Sequence, residues 1–355
     1  MHHRLVKARI SLVGVSSMDS RPAKETLALA TDSLSLLFRC SAMDTEQRLD
    51  ALVAPLRADV VSGASVVGRM AADVLRRAAI RVQAGSLEEY RWALGEVSEK
   101  ILDAQPAMAP LVTLVRDVLA AVEASENVEA GRHAAVRTSE AFRSGLESRT
   151  ESVAARAAPL LPSGGTVATI SSSSTVRATL MHDPARGPER VICLESRPMK
   201  EGEMLATALA KAGVAVTFAV DAAASMLMVE CDTVLLGADS IGDLGVVNKI
   251  GSAGLVDAAV RHEVPVVVVS DETKILPTGF PQHLAADRPA EEVWKAPAGV
   301  RVWNRYFEPF ELELVTVVVT ESAALTPPEV EELRAGIVLP HGLRAWADAR
   351  ARRTP

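Results

Sequence analysis

The sequence Val-Leu-Leu-Gly-Ala-Asp-Ser-Ile at residues 234–241, followed by Val-Val-Asn-Lys-Ile-Gly-Ser at residues 246–252, decides the fold. An apolar run ends in Gly-Ala, and the carboxylate of Asp239 comes directly after it. In an open parallel α/β sheet, ligands bind beyond the carboxyl ends of the strands, which is where this carboxylate is expected. Asn248 and Lys249 add an amide and a cation just before an apolar helical pattern. The stretch therefore predicts a site for a polar, phosphorylated ligand.

Short β-branched runs of the same kind recur from residue 164 onward, and most are continuous rather than alternating. Such runs are expected of strands that are buried on both faces of a sheet. The predicted strands are residues 166–170, 190–194, 215–220, 233–236, 264–269 and 314–320. Helical patterns lie at residues 202–212, 251–261 and 328–336, and a proline-rich loop at residues 277–299. The alternation predicts a Rossmann-like, mostly parallel sheet domain over residues 162–355.

The first part of the chain has a different period. From residue 24 to residue 161, apolar residues recur at spacings of three and four, and Ala, Leu, Arg and Glu dominate. This pattern predicts an N-terminal helical domain over residues 1–161 with five or six helices, the last of them long and running into the second half. Breaks between the helices are expected near Pro55, Gly63, Gly85, Pro106 and Gly131. The predicted fold class is thus α/β, a helical domain followed by a Rossmann-like sheet domain.

Composition excludes several function classes. The 355 residues carry a net charge of −7, so there is no basic footprint for nucleic acid. No apolar run has the length needed to span a bilayer, and the Met-His-His-Arg start lacks a signal-peptide core, which predicts a cytoplasmic protein without membrane contact. The three cysteines and the scattered histidines share no metal-binding spacing, so neither a metal nor a cofactor is predicted.

Hydroxyl groups follow the first predicted strand. Ser171, Ser172 and Ser173 precede a helical pattern, and hydroxyls with free backbone N–H groups at a helix start can hold a phosphate. Ser is also a favoured N-cap residue, so plain capping explains the same pattern. Both interpretations stay open at this point.

Charged residues follow three other strands. Arg197 could grip a phosphate or form a surface pair, and Asp221 could bind a ligand hydroxyl or cap a helix. Lys274 could reach an anionic group or remain solvated. Capping alone requires neither an arginine nor a lysine at such places. Together with Asp239, these side chains predict a ligand pocket along one edge of the sheet.

Four motifs in this order resemble a known family. They are Glu195-Ser196-Arg197-Pro198 with Gly202, Gly237-Ala238-Asp239-Ser240-Ile241, Asn248-Lys249-Ile250-Gly251-Ser252 and Glu272-Thr273-Lys274. The family joins the regulatory subunits of eukaryotic translation initiation factor 2B to two enzymes, methylthioribose-1-phosphate isomerase and ribose-1,5-bisphosphate isomerase. Weaker similarity covers Gly63-Ala64-Ser65 and residues 105–108 in the helical half.

The resemblance implies a site and an activity. Enzymes of this family interconvert a ring-closed aldose 1-phosphate and an open 2-ketose, with a cysteine after the first strand and an aspartate in Gly-Ala-Asp. Asp239 matches that aspartate, and substrate-contacting positions match Asn248, Lys249 and Lys274. Gly63 and Ala64 are included among the expected substrate-binding residues. The resemblance also implies homodimers built through the sheet domain.

This chain departs from the isomerase pattern at two positions. Ser171 stands in place of the cysteine, and Ser62 stands where the isomerases have an arginine before Gly-Ala. A serine hydroxyl ionises far less readily than a thiol. Asp239 is retained, however, so the leading hypothesis is a sugar-phosphate aldose–ketose isomerase with Asp239 and Ser171 as catalytic residues. The alternative is a non-catalytic protein that binds a sugar phosphate or nucleotide, and a third hypothesis is a subunit of a larger assembly.

Overall fold

Helices with one apolar face make up the first half of the described chain. The computed structural model describes residues 50–59, 63–282, 284 and 287–351. The helices are α1 (50–58), α2 (Ala64–Arg81), α3 (Leu87–Ala104), α4 (Ala109–Glu123) and α5 (Val128–Ala157). The predicted helical region before residue 50, together with Ser62, lies outside the described residues.

Two of the five expected helix breaks are wrong. Pro55 lies within α1, where the fully buried side chains of Val53 and Leu56 hold the helix in the core. Gly131 is the fourth residue of α5, and a Cβ there would lie 3.2 Å from the Leu87 side chain. The small residue therefore serves close helix packing rather than a chain break, and packing overrides the weak helix propensity of glycine.

Helix α5 packs against both halves of the fold. Its first part contributes Phe142 and Leu146 to the core of the helical half. Its last part contributes Val153 and Ala157 to the cluster that covers one face of the sheet. Residues Leu49–Pro355 form one compact unit, so the expected domain boundary at residue 161 stays a prediction.

The central sheet in the described chain has seven strands in the order β10-β9-β7-β4-β1-β2-β3. The strands are β1 (Thr166–Ile170), β2 (Arg190–Leu194), β3 (Ala215–Ala219), β4 (Thr233–Leu236), β7 (Val266–Val269), β9 (Val317–Val319) and β10 (Ala324–Leu325). All pairs are parallel except β10 with β9. The chain order runs outward from β1 in both directions, which places the topological switch point between β1 and β4.

Helices cover the sheet as a Rossmann-like fold requires. They are α6 (Ser174–Leu180), α7 (Gly202–Lys211), α8 (Ala224–Leu227), α9 (Ser252–Arg261) and α10 (Pro327–Gly336). Helix α11 (His341–Ala351) instead packs against the helical half through Leu343, Trp346 and Ala347. The predicted fold class is confirmed, and each predicted strand has an observed counterpart. None of the described helices combines the length and the apolar character that crossing a bilayer requires.

A second, antiparallel sheet was not predicted. It pairs β6 (Gly245–Lys249) with β5 (Ser240–Gly242) on one side and with β8 (Phe307–Phe310) on the other. Strand β5 begins directly after Asp239 and β6 ends in Lys249, so their pairing fixes both residues of the opening stretch relative to each other.

Candidate functional site

The ends of β1 and β4 meet closely at the switch point. A Cβ on Gly237 would lie 2.7 Å from the Ser173 hydroxyl, and a Cβ on Gly251 would lie 2.7 Å from Ile170. Gly251 also has a φ of +98°, a backbone conformation that favours glycine. These glycines allow the segments after β1, β4 and β6 to approach one another closely, and the expected ligand pocket there stays a prediction.

Asp239 lies half-buried at the start of the small sheet. Its backbone N–H donates to the Val247 carbonyl at 2.8 Å, which fixes the residue between β4 and β5. Burial raises the pKa of the Asp239 carboxyl, and nearby Lys274 and Lys249 partly oppose that rise. The Asp239 carboxyl therefore holds its proton to a higher pH than an exposed aspartate does.

Lys274 is buried beside this carboxyl. Its Nζ donates to the Ala238 carbonyl at 2.7 Å, directly before Asp239 in the chain. The backbone of this segment is held from two sides, because Leu276 N–H donates to the Ile241 carbonyl and the Thr113 hydroxyl donates to the Thr273 carbonyl at 3.0 Å. Helix α4 of the helical half therefore positions the segment that carries Lys274.

Lys249 also lies near Asp239 and is buried. Its ammonium forms an ion pair with Glu201, and its Nζ lies 4.7 Å from the centre of the Tyr306 ring and 5.6 Å from that of Phe307. Asn248 precedes it on β6 and donates from Nδ2 to the Ser252 hydroxyl at 2.9 Å. Asn248 thus anchors the start of α9, and the site holds two cations and two carboxylates.

The serines after β1 have different roles. Ser173 caps α6, since its hydroxyl accepts from the Val176 N–H at 3.3 Å, so the capping interpretation is correct for this residue. Ser171 adopts a φ of 71° in the left-handed region, which bends the chain away from the strand. Ser172 is exposed between them.

Asp221 stabilises a turn rather than a helix. Its two carboxylate oxygens accept from the Ser196 and Arg197 N–H groups, each at 2.7 Å. Arg197 itself is exposed, and its guanidinium donates to the Val293 carbonyl at 3.0 Å. Asp221 therefore joins the end of β3 to the end of β2. Its assignment as a ligand contact stays a prediction, as does that of Arg197.

Replacement of Asp221 by Asn tests this structural role. An amide offers one acceptor oxygen instead of two, so we expect the free energy of unfolding to fall by about 1.5–3 kcal/mol. Chemical denaturation measures this difference. The control is Asp232→Asn, because the Asp232 carboxylate accepts from the Thr166 N–H in a different part of the fold. Wild-type stability in Asp221→Asn would contradict the role.

Gly63 and Ala64 begin helix α2. The Gly63 carbonyl accepts from the N–H groups of Val66 and Val67, and Ala64 is buried. These contacts are those of a helix start, and substrate binding at both residues stays a prediction.

Sequence reasoning missed Glu201, Tyr306 and Phe307. Glu201 precedes Gly202 in one of the four motifs, which is the signal that could have identified it. Tyr306 and Phe307 reach the site only through the pairing of β8 with β6, which no local pattern encodes.

The two described cysteines take no part in the site contacts given above. Cys193 and Cys231 are buried free thiols, and burial raises their pKa values to about 12 and about 11. Neither is a reactive thiolate near neutral pH. Among the described residues, no group of three or more His, Cys, Asp and Glu side chains could hold a metal ion.

Comparison with known proteins identifies the family. The sequence profile described as the Initiation factor 2 subunit family matches residues 60–327. The chain belongs to this family. Its relatives include ribose 1,5-bisphosphate isomerase of Archaeoglobus fulgidus, which is 30% identical over 78% of this chain and 88% of its own length. Methylthioribose-1-phosphate isomerase of Gemmatimonas aurantiaca is 28% identical over 79% of this chain and 86% of its own length.

Solved structures of the Initiation factor 2 subunit family share the fold. Translation initiation factor eIF-2B of Pyrococcus horikoshii superposes with a TM-score of 0.67 at 25% identity, covering 79% of this chain and 98% of that one. The 5-methylthioribose 1-phosphate isomerase of Pyrococcus horikoshii superposes with a TM-score of 0.60 at 21% identity, over 81% of this chain and 86% of that one. The fold therefore occurs in structures of both kinds.

Proposed function

We propose that this protein is an aldose–ketose isomerase that acts on a phosphorylated pentose or a close analogue. The observation that carries the proposal is Asp239, a half-buried acid with a raised pKa near the buried Lys249 and Lys274. The similarity to two sugar-phosphate isomerases supports it.

The reaction requires little beyond controlled proton movement. The ring oxygen leaves C1 and gains a proton, the hydrogen on C2 moves to C1, and the C2 hydroxyl loses its proton to become a ketone. Asp239 takes the hydroxyl proton and returns one to the ring oxygen, which suits a carboxyl with a raised pKa. Ser171 orients the substrate, while Lys274, with Ser172, Ser173 and Arg197 near the neighbouring strand ends, binds its anionic and hydroxyl groups.

Turnover of a small panel of substrates tests the proposal. We expect the protein to convert at least one of ribose 1-phosphate, 5-methylthioribose 1-phosphate and ribose 1,5-bisphosphate into a ketose. A colorimetric ketose assay follows the reaction. Absence of product from all three would contradict the isomerase activity.

A sugar-phosphate or nucleotide sensor is the second candidate, and Ser171 is the observation that favours it. A serine after β1 is a weaker proton carrier than the thiol expected of the isomerases. Thermal shift distinguishes the two, because a ligand at about 100 times its Kd stabilises the fold by about 2.7 kcal/mol. Stabilisation without turnover would favour the sensor.

The pH dependence of turnover follows from the raised pKa of Asp239. The acid must be ionised to accept the hydroxyl proton, so kcat/KM is expected to fall as the pH drops through that pKa. The acidic limb should therefore lie above 3.8, the ordinary value of an aspartate. Initial rates across a pH series at constant ionic strength measure it. A limb at or below 3.8 would contradict the assignment.

The proposal includes a cytoplasmic homodimer built through the sheet domain. Exposed apolar side chains near the open edge of the sheet support the dimer. Phe218 lies on β3, Val220 follows it, and Met226 and Val229 are 81% and 70% exposed in the segment after it. Light scattering coupled to gel filtration measures the assembly, and a monomer at all concentrations would contradict it.

A further inference from the structure

The positive charge of Lys249 is already matched by a carboxylate. Glu201 pairs with its ammonium through Oε1, and the Lys249 side chain is only 6% exposed. The rings of Tyr306 and Phe307 cover the same ammonium. Because the rings exclude water, the two charges interact more strongly than an exposed pair would. Lys249 therefore presents little net charge to a ligand.

Lys274 differs from Lys249 in its partner. Its Nζ donates to the neutral carbonyl of Ala238, so its charge is not cancelled by that contact. Asp239 supplies the second carboxylate of the site, and Glu201 raises the pKa of Asp239 by its negative charge. Lys274 is thus hydrogen-bonded to a neutral carbonyl and lies near Asp239, whereas Lys249 is ion-paired directly with Glu201.

The second carboxylate oxygen of Glu201 can accept a further hydrogen bond. Its Oε2 is buried and has no hydrogen-bond partner among the described residues. A buried carboxylate oxygen without a donor is costly, and a ligand hydroxyl would satisfy it. A phosphate at the same place would meet a second negative charge instead.

We propose that Glu201 makes this site selective for sugars that carry a single phosphate. It neutralises Lys249, accepts a hydroxyl through Oε2, and repels a second phosphate at that end of the pocket. The inference rests on the proposed function, since it assigns the substrate class of the same site. It favours a sugar monophosphate over the bisphosphate that names several relatives.

Titration calorimetry with ribose 1-phosphate and ribose 1,5-bisphosphate tests this selectivity. We expect the wild-type protein to bind the monophosphate roughly tenfold more tightly, as like charges a few ångströms apart repel by that order. In Glu201→Gln, which removes the charge and keeps the shape, this preference should fall by roughly tenfold. The matched control is Glu203→Gln, an exposed position on the same helix that pairs only loosely with Lys200 at 3.8 Å, and the preference should not change there.

The outcomes separate this inference from the proposed function. Tighter wild-type binding of the bisphosphate would overturn the selectivity even if Glu201→Gln failed to fold. An unchanged preference in folded Glu201→Gln would also overturn it. The expected preferences without any turnover would support the selectivity and contradict only the isomerase activity. No binding of either sugar would overturn both proposals.

Discussion

Asp239→Asn is expected to reduce isomerase turnover by about a thousandfold or more while the fold is kept. Acid–base groups contribute roughly 10²–10⁴-fold to such reactions, and an amide cannot move the proton. Asn has nearly the same shape, and the backbone contact of residue 239 to Val247 does not depend on the side chain. Initial rates of ketose formation at saturating substrate measure the loss. Activity within tenfold of the wild type would contradict the role of Asp239.

The same variant should be more stable than the wild type near neutral pH. Burial raises the pKa of Asp239, so the folded state holds this proton more tightly than the unfolded state does. The group therefore stabilises the fold below its ordinary value of 3.8 and loses that contribution as the pH rises through the raised pKa. Because an asparagine side chain does not ionise, the melting temperature of Asp239→Asn should exceed that of the wild type at pH 7. The difference should shrink in acid.

Gly202→Ala is expected to lower the free energy of unfolding by about 3 kcal/mol or more. A Cβ at this position would lie 2.0 Å from the Leu194 carbonyl oxygen, which belongs to the backbone of β2 and cannot rotate away. Helix α7 would have to shift, and Glu201, the preceding residue, would shift with it. Chemical denaturation and binding of ribose 1-phosphate measure the two consequences.

The control for this change is Gly254→Ala in helix α9. A Cβ there meets no atom within 4 Å. Alanine also favours the helix over glycine, so stability should rise by about 0.5–1 kcal/mol. Equal stabilities of Gly202→Ala and the wild type would contradict the close contact between α7 and β2.

The large sheet could be predicted because local sequence patterns indicate most of its strands. Continuous β-branched runs such as Val266–Val269 favour strands buried on both faces of a sheet. The small sheet has no such signal. Strand β5 has three residues, and β8 reads Phe-Glu-Pro-Phe, in which proline favours a loop. Its third strand joins β6 only through a pairing of residues far apart in the chain, such as Val246 with Phe310.

Some residues of the candidate site are likewise indicated by local sequence, whereas others depend on tertiary contacts. Asp239 and Lys274 were predicted because each follows a strand of the parallel sheet, where ligands bind. Lys249 was predicted because it comes just before a helical pattern. Glu201 was missed because its role depends on a tertiary ion pair with Lys249. Asp221 shows the limit of strand-end reasoning, since its carboxylate faces the backbone of the neighbouring turn.

We propose that the site around Asp239 converts an aldose phosphate into a ketose. Ribose 1-phosphate labelled with ¹³C at C2, followed by NMR in the presence of the wild-type protein, tests it most directly. We expect the labelled carbon to move from an alcohol resonance to a ketone resonance, and we expect no such change with Asp239→Asn. A labelled carbon that remains an alcohol with the wild-type protein, while the sugar is bound, would contradict it.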